Sequence, residues 1–160
     1  MVHLGCHADV VGSAPGQSYL LLAGERKLMI EAILRRASGR PAQAPGGLVS
    51  LAACRSDLAA GEYDEALTLA TAFLAAGAVT VVGARWEVPD RATSLLMFMF
   101  HHFMTSSAAS PRDALRLAQL WMLDPGRAAP PEMPAHLASH ASRRDLADVV
   151  AWAALTHQGR

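Results

Sequence analysis

Three short apolar runs constrain this chain more than anything else in it: Val2 to Cys6, Leu48 to Ala53 and Ala78 to Ala84. Each has the length of a strand and contains no Asp, Glu, Lys or Arg. The third is Val-rich and apolar on both faces, as strands of a parallel sheet are. Between them lie stretches with helical spacing. Glu25 to Ala37 sets Leu28, Met29, Ala32, Ile33 and Arg36 at helical intervals, with acid leading and base trailing. Asp64 is suited to cap a helix reaching Ala76, with Gly77 as its left-handed stop. Asp90 reads as the cap of a helix covering Leu95 to Met104. Ser110-Pro111 opens another, with a core stripe of Leu115, Ala118 and Met122. A short strand over Ser18 to Leu22, a short helix near Asp145 and a last strand over Val149 to Leu155 complete the set. Residues 8–18, 39–47 and 124–134 carry the Gly and Pro of loops. Strands alternating with helices imply right-handed crossovers and a mostly parallel sheet covered on both faces, an α/β fold.

A length of 160 residues is that of one domain with a real core, and no internal repeat or second domain is visible. The 14 basic and 14 acidic residues cancel, so no global field favours nucleic acid or an anionic membrane. The N-terminus is strand-like and lacks the cationic lead of a secretory signal. The longest nearly uncharged stretch, Ala66 to Ala84, is cut by Gly77 and Gly83, so it reads as helix, turn and strand instead of a membrane span. Two cysteines without a Cys-x-x-Cys pairing suggest free thiols in a reducing compartment, and a cytoplasmic location is expected.

In open α/β sheets, ligands bind beyond the carboxyl ends of the strands. His7 follows the first apolar run there, Cys54 the second, and Arg85-Trp86-Glu87-Val88-Pro89-Asp90 the third. An imidazole beside a thiol can take its proton and leave a nucleophilic thiolate. His3, Cys6, His7 and Cys54 are zinc-type ligands, but strand alternation splits them across two faces. No metal or cofactor is expected. Cys6 points away from His7 and reads as core, and His3 as a structural imidazole deeper on the face of His7. Packing accounts for His101 and His102, and nothing resembles a phosphate-binding loop. Arg55, Asp57, Trp86 and Asp90 are candidates to line a substrate pocket; a solvated loop, a rim aromatic and a helix cap are their plainer readings.

The string Ala53-Cys54-Arg55, with His7 47 residues upstream, is similar to the caspase signature. More of the chain carries a resemblance: Val-His-Leu-Gly-Cys-His, Leu-Ala-Ala-Cys-Arg-Ser, Leu-Ala-Thr-Ala-Phe-Leu-Ala-Ala-Gly-Ala, Val-Val-Gly-Ala-Arg-Trp-Glu-Val-Pro-Asp and the closing Trp152-Ala153-Ala154-Leu155. Together they resemble the C-terminal portion of a CHAT domain, a caspase-like cysteine peptidase domain often attached to tetratricopeptide repeats. The resemblance implies a caspase-like three-layer α/β/α sandwich, with His7 as base and Cys54 as nucleophile. It implies an oxyanion hole from the backbone N–H groups of Cys54 and Ala8, a protein or peptide substrate, and a possible upstream repeat region as partner. Two departures stand out. The family places Gly after the His, where this chain has Ala8. The family's domain also has strands before the His-bearing one, so that strand is expected to have an unpaired edge and the chain to be a piece, a truncated product or completed by a partner. The departures support a second reading, a catalytically degenerate domain serving as an interaction or regulatory module. A thiol hydrolase of small molecules would use the same pair of residues.

Overall fold

A four-stranded sheet takes its middle strands from the chain's most continuously apolar runs. The computed structural model describes residues 1–11, 14–41, 44–53 and 68–160. In chain order its main elements are β1 (Val2–Gly5), β2 (His7–Asp9), β3 (Tyr19–Leu22), β4 (Arg26–Met29), α1 (Ile30–Ala37), β5 (Leu48–Ala52), α2 (Leu69–Ala75), β6 (Thr80–Ala84), α3 (Asp90–Ser106), α4 (Pro111–Leu123), α5 (Ala135–Ala138), α6 (Val149–Trp152) and β7 (Leu155–Gly159). They form two compact units, Met1–Glu87 with Thr156–Arg160, and Val88–Leu155.

In the first unit the larger sheet has the order β1-β5-β6-β7. β1, β5 and β6 are parallel, with Val2 opposite Val49 and Val49 opposite Val81. β7 runs back along β6: Thr156 Oγ1 donates to Gly83 O at 3.3 Å, and Arg160 N to Val79 O at 3.0 Å. Every residue of β6 is buried. β1 instead lies at the edge, paired among the described residues only with β5, and its Val2, His3 and Gly5 are exposed. An edge strand is covered on one side only, so this apolar run is less buried than β5 and β6. The fold is thus mixed α/β, with a mostly parallel sheet flanked by helices and compatible with an α/β sandwich.

A second, antiparallel sheet has the order β2-β3-β4. It corrects two sequence expectations. His7–Asp9 is a strand and not the start of a loop, and the helix expected from Glu25 begins only at Ile30. Gly24 (φ 72°) and Glu25 (φ 58°) turn the chain back on itself, so Leu28 pairs with Leu20 and Met29 with Tyr19. That pairing overrides the helical spacing of Leu28 and Met29. The unit's core joins Leu20 of this sheet to Ile30 and Ile33 of α1, Leu51 and Val81 of the larger sheet, and Leu69 of α2.

The expected cap Asp64 lies outside the described residues. α2 starts at Leu69, and Thr68 and Thr71 form a reciprocal cap: Thr71 N donates to Thr68 Oγ1 at 3.0 Å and Thr68 N to Thr71 Oγ1 at 2.8 Å. At its other end Gly77 adopts φ 91°. There the Arg40 guanidinium donates to the carbonyls of Ala76 (2.9 Å), Ala44 (3.2 Å) and Pro45 (2.6 Å). One side chain therefore closes both the helix end and the loop before β5.

The second unit is helical. α3 buries Leu95, Leu96, Met99 and Phe100. α4 is capped by Ser110 with Pro111 at its first turn, and the expected stripe of Leu115, Ala118 and Met122 is buried. Asp90 is the first residue of α3, whose cap position is Pro89, so the expected cap is corrected by one place. It still stands in the first turn, where the helix dipole favours a carboxylate. The last strand, expected over Val149 to Leu155, begins at Leu155; Val149–Trp152 is a helical turn. Within that turn Ala151 is buried while Val149 and Val150 face out. Gln119 Nε2 secures this turn by donating to the carbonyls of Trp152 (3.2 Å) and Leu155 (3.0 Å). Arg127 ties the loop after α4, donating to the carbonyls of Met122 (2.9 Å), Asp124 (2.7 Å), Ala141 (2.7 Å) and Arg143. Among the described residues, no helix is long and apolar enough to cross a membrane.

Candidate active site

Because β1, β5 and β6 run in parallel, their carboxyl ends form one rim. β1 pairs with β5 at a constant offset of 47, from Val2 opposite Val49 to Gly5 opposite Ala52. Beyond Gly5 the chain bends at Cys6 and enters β2 at His7. Beyond Ala52, Ala53 is 2% exposed; Cys54, Arg55 and Asp57 lie outside the described residues. Beyond Ala84 at the end of β6, Arg85 is exposed and Trp86 half-buried. Thus two of the rim candidates, His7 and Trp86, stand within the described part of the first unit. Asp90 belongs to the second. Its neighbours Pro89 and Arg91 there line a cleft of about 200 Å³ with Leu146 and Asp148. In the same cleft Arg143 bonds Asp145 through both carboxylate oxygens, at 2.9 and 2.6 Å, and this hydrogen bonding holds Asp145 below the usual carboxylate range.

His7 is exposed, and the reason lies in the alternation of β2. Ala8 turns inward and packs against the core that contains Leu20, while His7 and Asp9 turn outward. Ala8 therefore stands next to the imidazole with its backbone committed to a strand that pairs with Leu20. The outward face continues across the sheet. Tyr19 donates its hydroxyl to Asp9 Oδ2 at 2.9 Å, and Lys27 Nζ sits 4.1 Å from the centroid of the Tyr19 ring. Sequence reasoning passed over Asp9, Tyr19 and Lys27. His7-Ala8-Asp9 alternates polar and apolar residues at strand period, but no residue type announces the pairing of Asp9 with Tyr19 across the sheet.

The other rim-side groups behave as ordinary members of the sheet. His3 extends over Gly5: its Nε2 lies 3.8 Å from where a Cβ on Gly5 would be. Desolvation against the strand pushes its imidazole below the ordinary pKa. Cys6 is half-buried against the core, and burial pushes its thiol up. Among the described residues, no group of three or more His, Cys, Asp or Glu could hold a metal ion. In chemical terms the described rim offers an accessible imidazole at a strand end and a half-buried aromatic at the next strand but one.

The family model described as CHAT domain matches the chain over residues 1–160, its full length. No curated protein matches it.

Proposed function

We propose that this chain, which belongs to the CHAT domain family, is a cysteine endopeptidase of the caspase-like type acting through His7 and Cys54. The family is peptidase-related. The observation that carries the finer reading is the register: β1 and β5 are adjacent and parallel at an offset of 47, the separation of His7 and Cys54 in the sequence. Each residue follows the last paired position of its strand, Gly5 or Ala52, by two.

In this reading His7 takes the proton of Cys54, and the thiolate adds to a peptide carbonyl. The backbone N–H groups of Cys54 and Ala8 receive the oxyanion. As the tetrahedral intermediate collapses, the C–N bond breaks and His7 passes its proton to the leaving amine. Water, deprotonated by His7, then hydrolyses the thioester, releasing the acid and restoring the thiol. Trp86, with Arg55 and Asp57, is proposed to shape the pocket for the acyl segment. The reduced thiol this chemistry needs fits a cytoplasmic setting.

A thiol-reactive peptidyl probe tests the proposal. Labelling at Cys54 that disappears in His7→Ala supports it. A folded chain that is never labelled at Cys54 overturns it in favour of the interaction module, the reading that Ala8 in place of glycine supports.

A further inference from the structure

The outward face of the β2-β3-β4 sheet bears His7, and the same face carries a fixed set of charges. Alternation sends Ala8, Leu20 and Leu28 to the core and leaves Asp9, Tyr19 and Lys27 on the face that bears the imidazole. The register aligns them, with Asp9 opposite Tyr19 and Leu21 opposite both His7 and Lys27. Asp9 is two residues along β2 from His7, about 7 Å at the rise of a strand. Its carboxylate is oriented, since Oδ2 accepts the Tyr19 hydroxyl at 2.9 Å. Lys27 is held elsewhere, 4.1 Å over the Tyr19 ring. Outward from His7, the order of charge is therefore anion first and cation two strands away.

Proton traffic orients a substrate on this face. In the peptidase reading the base protonates the leaving amine, so the departing segment passes His7. The acyl segment then lies on the side of β5 away from β1, where β6 ends and Trp86 stands. Resting on the peptidase reading, we propose that Asp9 is a specificity residue. It selects a lysine or arginine immediately after the cleaved bond, with Tyr19 positioning its carboxylate. An exposed ion pair of this kind supports a preference of about fivefold, and salt weakens it.

The experiment compares peptides that differ only at the residue after the cleaved bond, carrying Arg, Gln or Glu. Cleavage by the full chain is read as kcat/KM, and binding to Cys54→Ala by fluorescence anisotropy. The expected result is Arg over Glu by about fivefold at low salt, a ratio near one in Asp9→Asn, and reversal in Asp9→Lys. Asp9→Glu keeps the preference and Tyr19→Phe weakens it. A preference that persists unchanged in Asp9→Asn, in a chain that cleaves peptides, overturns the role of Asp9 and leaves the peptidase reading standing. Asp9-dependent binding without any cleavage by the unaltered chain overturns the peptidase reading and leaves the recognition surface. Absence of both binding and cleavage overturns both.

Discussion

A Cβ on Gly77 would lie 2.5 Å from Nη1 of Arg40, the group that donates to Ala76 O at the end of α2. Gly77 is therefore constrained twice, by its φ of 91° and by the guanidinium beside it. Gly24, at φ 72°, has nothing within 4 Å of the same imagined atom. Gly24→Ala should cost about 1 kcal/mol, the strain of a left-handed alanine. Gly77→Ala should cost about 3 kcal/mol, because Arg40 must also leave its carbonyls. Urea unfolding of both variants measures the difference, and equal costs would show that Arg40 moves aside freely.

Arg127 makes the same kind of closure in the second unit, with four carbonyls drawn from both sides of a loop. Arg127→Ala should destabilise by about 2 kcal/mol, since carbonyls of Met122 and Ala141 lose a charged donor in partly buried positions. Arg127→Lys should recover little, as an ammonium cannot span the same fork. Recovery of full stability by lysine in thermal unfolding would contradict this.

His7 is exposed and contributes little packing. His7→Ala should leave stability within about 0.5 kcal/mol of the unaltered chain while removing the proposed peptidase activity and probe labelling of Cys54. A large drop in Tm would mean that the imidazole is part of the scaffold.

The two cysteines should separate chemically. Burial raises the Cys6 thiol above its ordinary pKa, so at neutral pH it holds less thiolate than a free cysteine and alkylates more slowly. Mass spectrometry after brief iodoacetamide treatment should find Cys54 modified before Cys6. Cys6→Ala should cost about 1 kcal/mol through a small cavity in the core it packs on. Fast alkylation of Cys6 in the folded chain would count against its place there.

His3 predicts a pH dependence. Its folded pKa is lowered by desolvation, whereas in the unfolded chain it titrates near the ordinary value of about 6.5. Above that value neither state is protonated at His3, and its neutral form is fully compatible with the fold. As pH falls below it, the unfolded state takes up the proton first, so stability declines until the folded pKa is also passed. Tm measured from neutral to mildly acidic pH should fall less steeply in His3→Gln; identical slopes would remove His3 as the cause.

What could be read from residues alone follows physical lines. Fully buried strands announce themselves because both faces are apolar, and β5 and β6 were legible for that reason. β3 and β4 form a hairpin whose turn depends on two positive φ angles at Gly24 and Glu25, a choice no periodicity encodes. Val149 and Val150 read as strand, yet both face out of a helical turn that buries Ala151 instead. At the candidate site, His7 and Trp86 were visible as residues that follow strands. Asp9 was not, since its significance arises from a hydroxyl ten residues away that becomes its neighbour only across the sheet. Arg40 and Arg127 were invisible too, because their partners are backbone carbonyls and carry no signature in residue type.

The constant register of β1 on β5 changes what the interval between the two proposed reacting residues means. The connection between these strands contains a hairpin and a helix, and the chain between the elements can gain or lose residues without altering how Gly5 faces Ala52. What the pairing conserves is phase: the number of steps from each strand's last bonded residue. A residue added between the elements changes 47 and leaves that phase intact, while one added inside either strand leaves the chain almost as long as before and turns every later side chain to the opposite face. In related chains, then, the interval is free to drift, and the count of two from each strand end is the quantity by which such a pair is to be found.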